Sequence, residues 1–190
     1  METKNIMIVG VGGQGSLLAS KLLGVLLTAE GFDVKVSEVH GMSQRGGSVV
    51  TYVRYGEKVY SPIIAEGEAD YIISFEKIEA ARYAKCLKKD GKIIVNTQQI
   101  DPMPVIIGNA EYPVNVLEEL KGKGVFVDDI DALELAEKAG NVKSVNIVLM
   151  GRLAKYLDID YDKWVEAIRN SVKPQFVDIN IKAFELGFNY

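Results

Sequence analysis

The spacing of apolar residues changes several times along the chain, and each change predicts an element. Residues 6–9, Ile-Met-Ile-Val, form a short run with no polar alternation, the pattern of a parallel strand buried on both faces. The turn Gly10-Val11-Gly12-Gly13-Gln14-Gly15 closes it. Over residues 16–30, Leu17, Leu18, Leu22, Val25 and Leu26 recur at helical spacing, and Gly31 supplies a stop. Residues 33–39 carry Val34, Val36 and Val39 and read as a second strand. These first three elements predict a βαβ unit with a right-handed crossover.

Residues 48–55 are rich in β-branched and aromatic side chains. Gly56-Glu57-Lys58 separates them from Val59-Tyr60-Ser61, so a β-hairpin is expected, its second arm kept short by Pro62. The α/β rhythm resumes with a strand at 70–75, a helix at 76–88 and a strand at 92–96 entered through Asp90-Gly91. Pro102, Pro104 and Pro113 mark extended pieces and turns around 105–107. A short helix at 116–121, a strand at 125–127 and an amphipathic helix at 131–139 follow. From Ser144 onward the period is helical throughout. Val145, Val148, Leu149, Leu153 and Leu157 form one stripe, Trp164, Val165 and Ile168 lie in a second helix, and Phe184 and Leu186 lie in a third beyond Pro174. Met150 and Trp164 fit core positions. The predicted fold is α/β and three-layered: a mainly parallel sheet flanked by helices, Rossmann-like, with an inserted β-hairpin and a helical part from about 143 to 190. A single domain over residues 1–190 is expected.

Composition narrows the partners. The formal charge of −4, from 22 basic and 26 acidic residues, argues against nucleic acid or an anionic membrane as the main partner. One cysteine, Cys86, excludes an internal disulfide and cannot by itself ligate an iron–sulfur cluster or a thiolate zinc site. No metal site is expected, and Cys86 sits in a helical pattern that fits a small core residue. The opening Met-Glu-Thr-Lys-Asn leads directly into the first apolar run without the longer apolar segment of a signal peptide, and no run approaches a membrane span. A cytoplasmic location is expected.

Two stretches carry candidate chemistry. Gly10, Gly12 and Gly15 have G-x-G-x-x-G spacing between a strand and a helix, where helix amides can hold a phosphate or carboxylate. Glu38 ends the second strand about where a dinucleotide fold places its ribose acid. A stand-alone NAD(P)- or FAD-binding Rossmann oxidoreductase is therefore one reading. The turn also fits a purely structural use, letting the helix pack tightly on the strand. The second stretch is residues 37–50, Ser-Glu-Val-His-Gly-Met-Ser-Gln-Arg-Gly-Gly-Ser-Val-Val, a dense polar loop between two strands that holds the chain's one histidine. Downstream, no side chain stands out as acid, base or nucleophile.

The glycine turn, the polar loop and Tyr-Ser-Pro-Ile-Ile at 60–64, taken in order, resemble the gamma-type subunits of the 2-oxoacid:ferredoxin oxidoreductases over nearly the whole length. His40-Gly41-Met42-Ser43-Gln44 ahead of Arg45-Gly46-Gly47 is similar to the arylpyruvate branch. Members that serve 2-oxoglutarate often begin this loop with tyrosine and carry a proline and a glutamate. The resemblance implies oxidative decarboxylation of a 2-oxoacid to an acyl-coenzyme A with electrons passing to ferredoxin. It implies thiamine diphosphate and iron–sulfur clusters on a large partner subunit, coenzyme A as co-substrate, and no cofactor on this chain alone. The chain would close over its partner's site and be inactive by itself; a regulatory module for an oxidoreductase is a further alternative. Candidate contacts for substrate, coenzyme A or partner are Gly12, Gly13, Gln14, Gly15, Gly41, Ser43, Gln44, Arg45, Gly46, Gly47 and Ser48. Arg45 is the anion binder, since a guanidinium pairs with carboxylate or phosphate in bidentate fashion. His40 is a candidate to shuttle a proton, or only pins its own loop.

Overall fold

The computed structural model describes residues 2–40, His40 by its backbone alone, and residues 47–190. In chain order the elements are β1 (Lys4–Val11), α1 (Ser16–Ala29), β2 (Asp33–His40), β3 (Ser48–Gly56), β4 (Ala69–Ser74), α2 (Lys77–Tyr83), β5 (Leu87–Asn96), α3 (Met103–Ile106), α4 (Val116–Gly122), β6 (Phe126–Ile130), α5 (Ala132–Ala139), α6 (Val145–Ala154), α7 (Tyr161–Ser171) and α8 (Val177–Phe188). Short 3₁₀ turns at Ala84–Cys86, Val142–Ser144 and Pro174–Phe176 lead into β5, α6 and α8.

Among the described residues the six strands form one mixed sheet in the order β2-β3-β1-β4-β5-β6. Pairs β1/β4, β4/β5 and β5/β6 are parallel, whereas β3 runs antiparallel to both of its neighbours. The α/β class, with helices on both faces of a mostly parallel sheet, is as the sequence pattern predicts. Unalternated apolar runs bury both faces. Ile6 and Ile8 enter one core layer while Met7 and Val9 enter the other, and Ile72/Ile73 and Ile93/Ile94 divide in the same way. The first layer lies under α1 and the C-terminal helices α5 to α8, and the second lies under α2 and α4. Met150 and Trp164 are fully buried, and Cys86 is buried in the second layer. Leu17 departs from its predicted stripe and is exposed.

The predicted βαβ unit is present, with β1 and β2 parallel in one sheet and joined by α1, but β3 lies between them and pairs along its length with both. One topological expectation is corrected: β3 does not form a hairpin with residues 59–61. Both edges of β3 are already hydrogen-bonded, so no place remains beside it, and its hairpin partner is β2. The 59–63 stretch is instead held by side chains: the Val59 amide donates to Asp33 Oδ2 at 2.9 Å, and Arg54 Nη1 donates to the carbonyls of Ser61 at 3.2 Å and Ile63 at 2.6 Å. Smaller differences follow the same logic of pairing. The helix predicted to reach residue 88 ends at Tyr83, since Leu87 already pairs with Ala69 as the start of β5, and the turns around 105–107 include the single-turn helix α3. The last three helices match the predicted stripes, except that α6 ends at Ala154 and Leu157 lies beyond it. Among them α6 and α8 cross at contact distance through Gly151 and Gly187.

Candidate functional site

The antiparallel course of β3 decides what meets at the carboxyl edge of the sheet. Val11, the last residue of β1, pairs with Ser48, the first of β3, while His40 at the end of β2 pairs with Val49. Ser74 at the end of β4 pairs with Val9. The chain leaves β1 toward one side of the sheet and leaves β4 toward the other, so this edge is the switch point where α/β proteins form crevices.

Most of the glycine turn is tied to protein. The Gly12 amide donates to the Gly47 carbonyl at 2.9 Å. Gln14 points inward: its Oε1 accepts from the Val11 amide at 2.7 Å and its Nε2 donates to the Phe75 carbonyl at 3.2 Å, joining the ends of β1 and β4. Gly15 caps α1 at φ 89°, a left-handed conformation that suits glycine, and a Cβ there would lie 2.7 Å from Asn146 Nδ2. Asn146, buried at the start of α6, donates to the Gly15 carbonyl at 3.1 Å and so buttresses the turn from the C-terminal helices. Gly12, Gly13 and Gly15 line a cleft of about 340 Å³ with Ser16 and Glu38. Glu38 accepts from Thr51 Oγ1 at 3.2 Å and Ser16 Oγ at 3.4 Å, so a carboxylate held by two hydroxyls faces this cleft.

Gly41, Ser43, Gln44, Arg45 and Gly46 lie outside the described residues, as does the His40 side chain. The far end of the loop is described. Gly47 receives the Gly12 amide, and Ser48 Oγ donates to Glu79 Oε2 at 2.5 Å and lies 3.3 Å from the Tyr83 hydroxyl.

Beside Gly47 and Ser48 opens a second cleft, of about 390 Å³, whose apolar wall comes from Met103, Pro104 and Ile106 and whose polar wall comes from Glu76, Glu79 and Arg82. The two carboxylates were not among the sequence candidates. Both residues are buried, at 1% and 5% exposure, where an unpaired charge costs several kcal/mol. Each is satisfied. Glu76 caps α2 by accepting from the Glu79 amide at 3.1 Å, and also accepts from the Ile100 amide at 3.3 Å and from the Tyr112 hydroxyl. Burial, then this bond to Glu76, raises the Tyr112 hydroxyl above its ordinary pKa. Glu79 is paired with Arg82 Nε at 3.0 Å. The signal available in the sequence was the Glu-x-x-Glu spacing just after a strand, which resembles a capping box. Burial drives the Cys86 thiol up in pKa, toward an inert core residue. Among the described residues no group of His, Cys, Asp or Glu side chains could hold a metal ion. No helix of the described residues is long and apolar enough to cross a membrane.

A family model described as pyruvate ferredoxin/flavodoxin oxidoreductase matches residues 5–190. The chain belongs to this family. Two proteins named indolepyruvate oxidoreductase subunit IorB, from Thermococcus kodakarensis and Pyrococcus horikoshii, are 46% and 47% identical to it, each over 98% of this chain and 95% of the relative. The crystal structure of a keto/oxoacid ferredoxin oxidoreductase gamma subunit from Geobacter sulfurreducens has a TM-score of 0.73 at 21% identity, covering 98% of this chain and 96% of that one. At that identity the likeness speaks for the fold. The resemblance to gamma-type subunits of the indolepyruvate branch, carried in the sequence by the glycine turn and the Arg45-Gly46-Gly47 loop, is borne out.

Proposed function

We propose that the chain is the small subunit of a ferredoxin-dependent oxidoreductase that converts aryl 2-oxoacids of the indolepyruvate kind to aryl-acetyl-coenzyme A, working only in complex with a large subunit. The observation that carries this reading is the convergence at one sheet edge of the glycine turn, both ends of the 41–46 loop and the capped start of α2. At this edge the two ends of the 41–46 stretch are held by β2 and β3, while Glu38, Glu76 and Glu79 are all engaged in hydrogen bonds. That arrangement suits a wall that binds and orients a ligand reacting elsewhere. On this reading thiamine diphosphate and the iron–sulfur clusters belong to the large subunit, since Cys86 alone cannot supply a thiolate cage. The thiamine provides the carbanion chemistry of decarboxylation. Electrons pass to ferredoxin through the complex, and coenzyme A is the acyl acceptor.

Within this wall Arg45 binds the carboxylate or phosphate of an anionic ligand, and Gly46 and Gly47 allow close backbone approach. Ser43, Gln44 and Ser48 satisfy hydrogen bonds of ligand or loop, Gly12, Gly13, Gly15 and Gly41 leave room for the ligand, and Gln14 holds the strand ends. His40 orients the ligand or the loop. Co-expression of the two subunits tests the proposal: arylpyruvate-dependent ferredoxin reduction should require both chains, and full activity from the large subunit alone would refute it. Arg45→Ala should raise KM for the 2-oxoacid or coenzyme A about 10- to 100-fold with assembly intact, the span expected for a hydrogen bond to a charged group. Unchanged kinetics would remove Arg45 from the site.

A further inference from the structure

We propose that Glu79 is a positioning residue of the carboxyl-edge site: by holding Ser48 it fixes Gly47 and, through Gly47, the glycine turn. The inference rests on the reading of this edge as the working site. Three observations carry it.

First, Glu79 sits on the inward face of α2, its side chain 6% exposed, where the adjacent Ala80 already provides apolar packing. A buried carboxylate adds nothing to such packing and is costly unless its oxygens are matched. Second, both oxygens are matched, each to a different part of the edge. Oε1 accepts from Arg82 Nε at 3.0 Å, and Oε2 accepts from Ser48 Oγ at 2.5 Å. Third, Ser48 is the first residue of β3, and the carbonyl just before it, that of Gly47, takes the Gly12 amide at 2.9 Å. A continuous chain of hydrogen bonds and one peptide link therefore runs Arg82, Glu79, Ser48, Gly47, Gly12, from a helix on one face to the turn that opens the other cleft. Tyr83, four residues beyond Glu79, brings its hydroxyl to 3.3 Å from the same Ser48 Oγ, so one helix grips that hydroxyl from two positions. The start of α2 is itself fixed, because the Glu79 amide is bonded to Glu76.

The test pairs a structural readout on the full chain with kinetics of the two-subunit complex, using Glu79→Ala, Glu79→Gln and Ser48→Ala. In the full chain, amide hydrogen exchange at Gly12 should be about tenfold faster in Glu79→Ala, the loss expected for one charge-assisted hydrogen bond. It should return to within about threefold of wild type in Glu79→Gln, whose amide oxygen still accepts from Ser48. In the complex, Glu79→Ala should raise KM for the 2-oxoacid or coenzyme A about tenfold with kcat nearly unchanged, and Glu79→Gln should restore it. Ser48→Ala should add little to Glu79→Ala, since both cut the same link. Leu153→Ala, which thins the other apolar layer at the far end of α6, should lower stability without moving KM.

Unchanged Gly12 exchange in Glu79→Ala overturns the coupling. Faster exchange with an unmoved KM in an active complex overturns the positioning role and leaves Glu79 a structural residue. A wild-type complex that reduces no ferredoxin refutes the functional reading instead, and the exchange measurement still decides the coupling.

Discussion

The crossing of α6 and α8 allows a sharp prediction, because two glycines set its distance. A Cβ built on Gly151 would lie 2.1 Å from the Phe184 carbonyl oxygen and 2.9 Å from the Phe188 nitrogen, and one on Gly187 would lie 2.0 Å from the Val148 carbonyl oxygen. Ordinary contact begins near 3.4 Å, so Gly151→Ala must part the helices by about 1.3 Å. Backbone atoms cannot rotate away as a side chain does. Parting the helices loosens contacts around Ile147, Met150, Leu153 and Phe184, all fully buried, and a gap of that size forfeits a large share of the dispersion energy between the facing atoms. Overpacking of a dense core costs roughly 1–3 kcal/mol or more, against a gain of about 1 kcal/mol in helix propensity. Contact between backbones puts this site at the upper end, so a net loss of about 2–4 kcal/mol is expected, equal to a fall in Tm of roughly 5–15 °C. Gly24→Ala in α1 is the control, since a Cβ there meets nothing within 4 Å and should stabilise by about 0.5–1 kcal/mol. The assay is thermal unfolding followed by fluorescence of Trp164, the one tryptophan, fully buried and stacked at 5.6 Å on the Phe184 ring. A Tm for Gly151→Ala equal to or above wild type would refute the account of the crossing.

Other outcomes follow from single features. Gly15→Ala should destabilise by about 2 kcal/mol through its left-handed φ and the encounter with Asn146; the penalty should be less than additive with Asn146→Ala, as seen in urea unfolding of the double variant. Burial, together with the hydrogen bond to Asp128 at 2.5 Å, pushes the Tyr156 hydroxyl up to about 12. Its folded pKa lies above the unfolded value of about 10, so its contribution is complete below pH 10 and is lost as pH rises toward 12; Tyr156→Phe should flatten that part of the stability curve measured by denaturant titration.

The sequence makes the fold class legible because the relevant signals are local. Runs such as Ile6 to Val9 and Ile72-Ile73 declare strands buried on both faces, and the stripes of the last three helices declare a helical layer. Strand order is not local. Nothing in the periodicity of residues 48–55 says that they insert between β1 and β2, and Val59-Tyr60-Ser61 has strand-like composition but finds no free edge. The site divides in a similar way. The glycine turn is visible by spacing, but the inward use of Gln14 depends on Phe75, which is 61 residues away. Glu76 and Glu79 were invisible as site residues because surface acids at helix starts are common, and only the fold shows these two to be buried. Asn146 has no local signal at all, since its partner lies 131 residues earlier.

The inserted strand also bears on the nucleotide-binding reading that the glycine turn left open. In a dinucleotide fold the ribose acid stands on the strand next to the one that carries the turn. Here β3 occupies that place, which sets β2 two strand spacings from β1, roughly 9–10 Å instead of about 5 Å. Glu38 accepts hydroxyl bonds from Ser16 and Thr51. The Gly12 amide, which a pyrophosphate would need, is bonded to Gly47. The same insertion makes β3 antiparallel to β2, so the end of β2 and the start of β3 lie side by side at the carboxyl edge, where a parallel connection would send a helix across a face. One topological change thus parts Glu38 from the strand that carries the glycine turn and brings the end of β2 and the start of β3 to the carboxyl edge. Calorimetric titration of the chain with NAD(H), NADP(H) and FAD should therefore give no binding in the micromolar range. A micromolar Kd for any of them, abolished by Glu38→Ala, would overturn this reading of the edge.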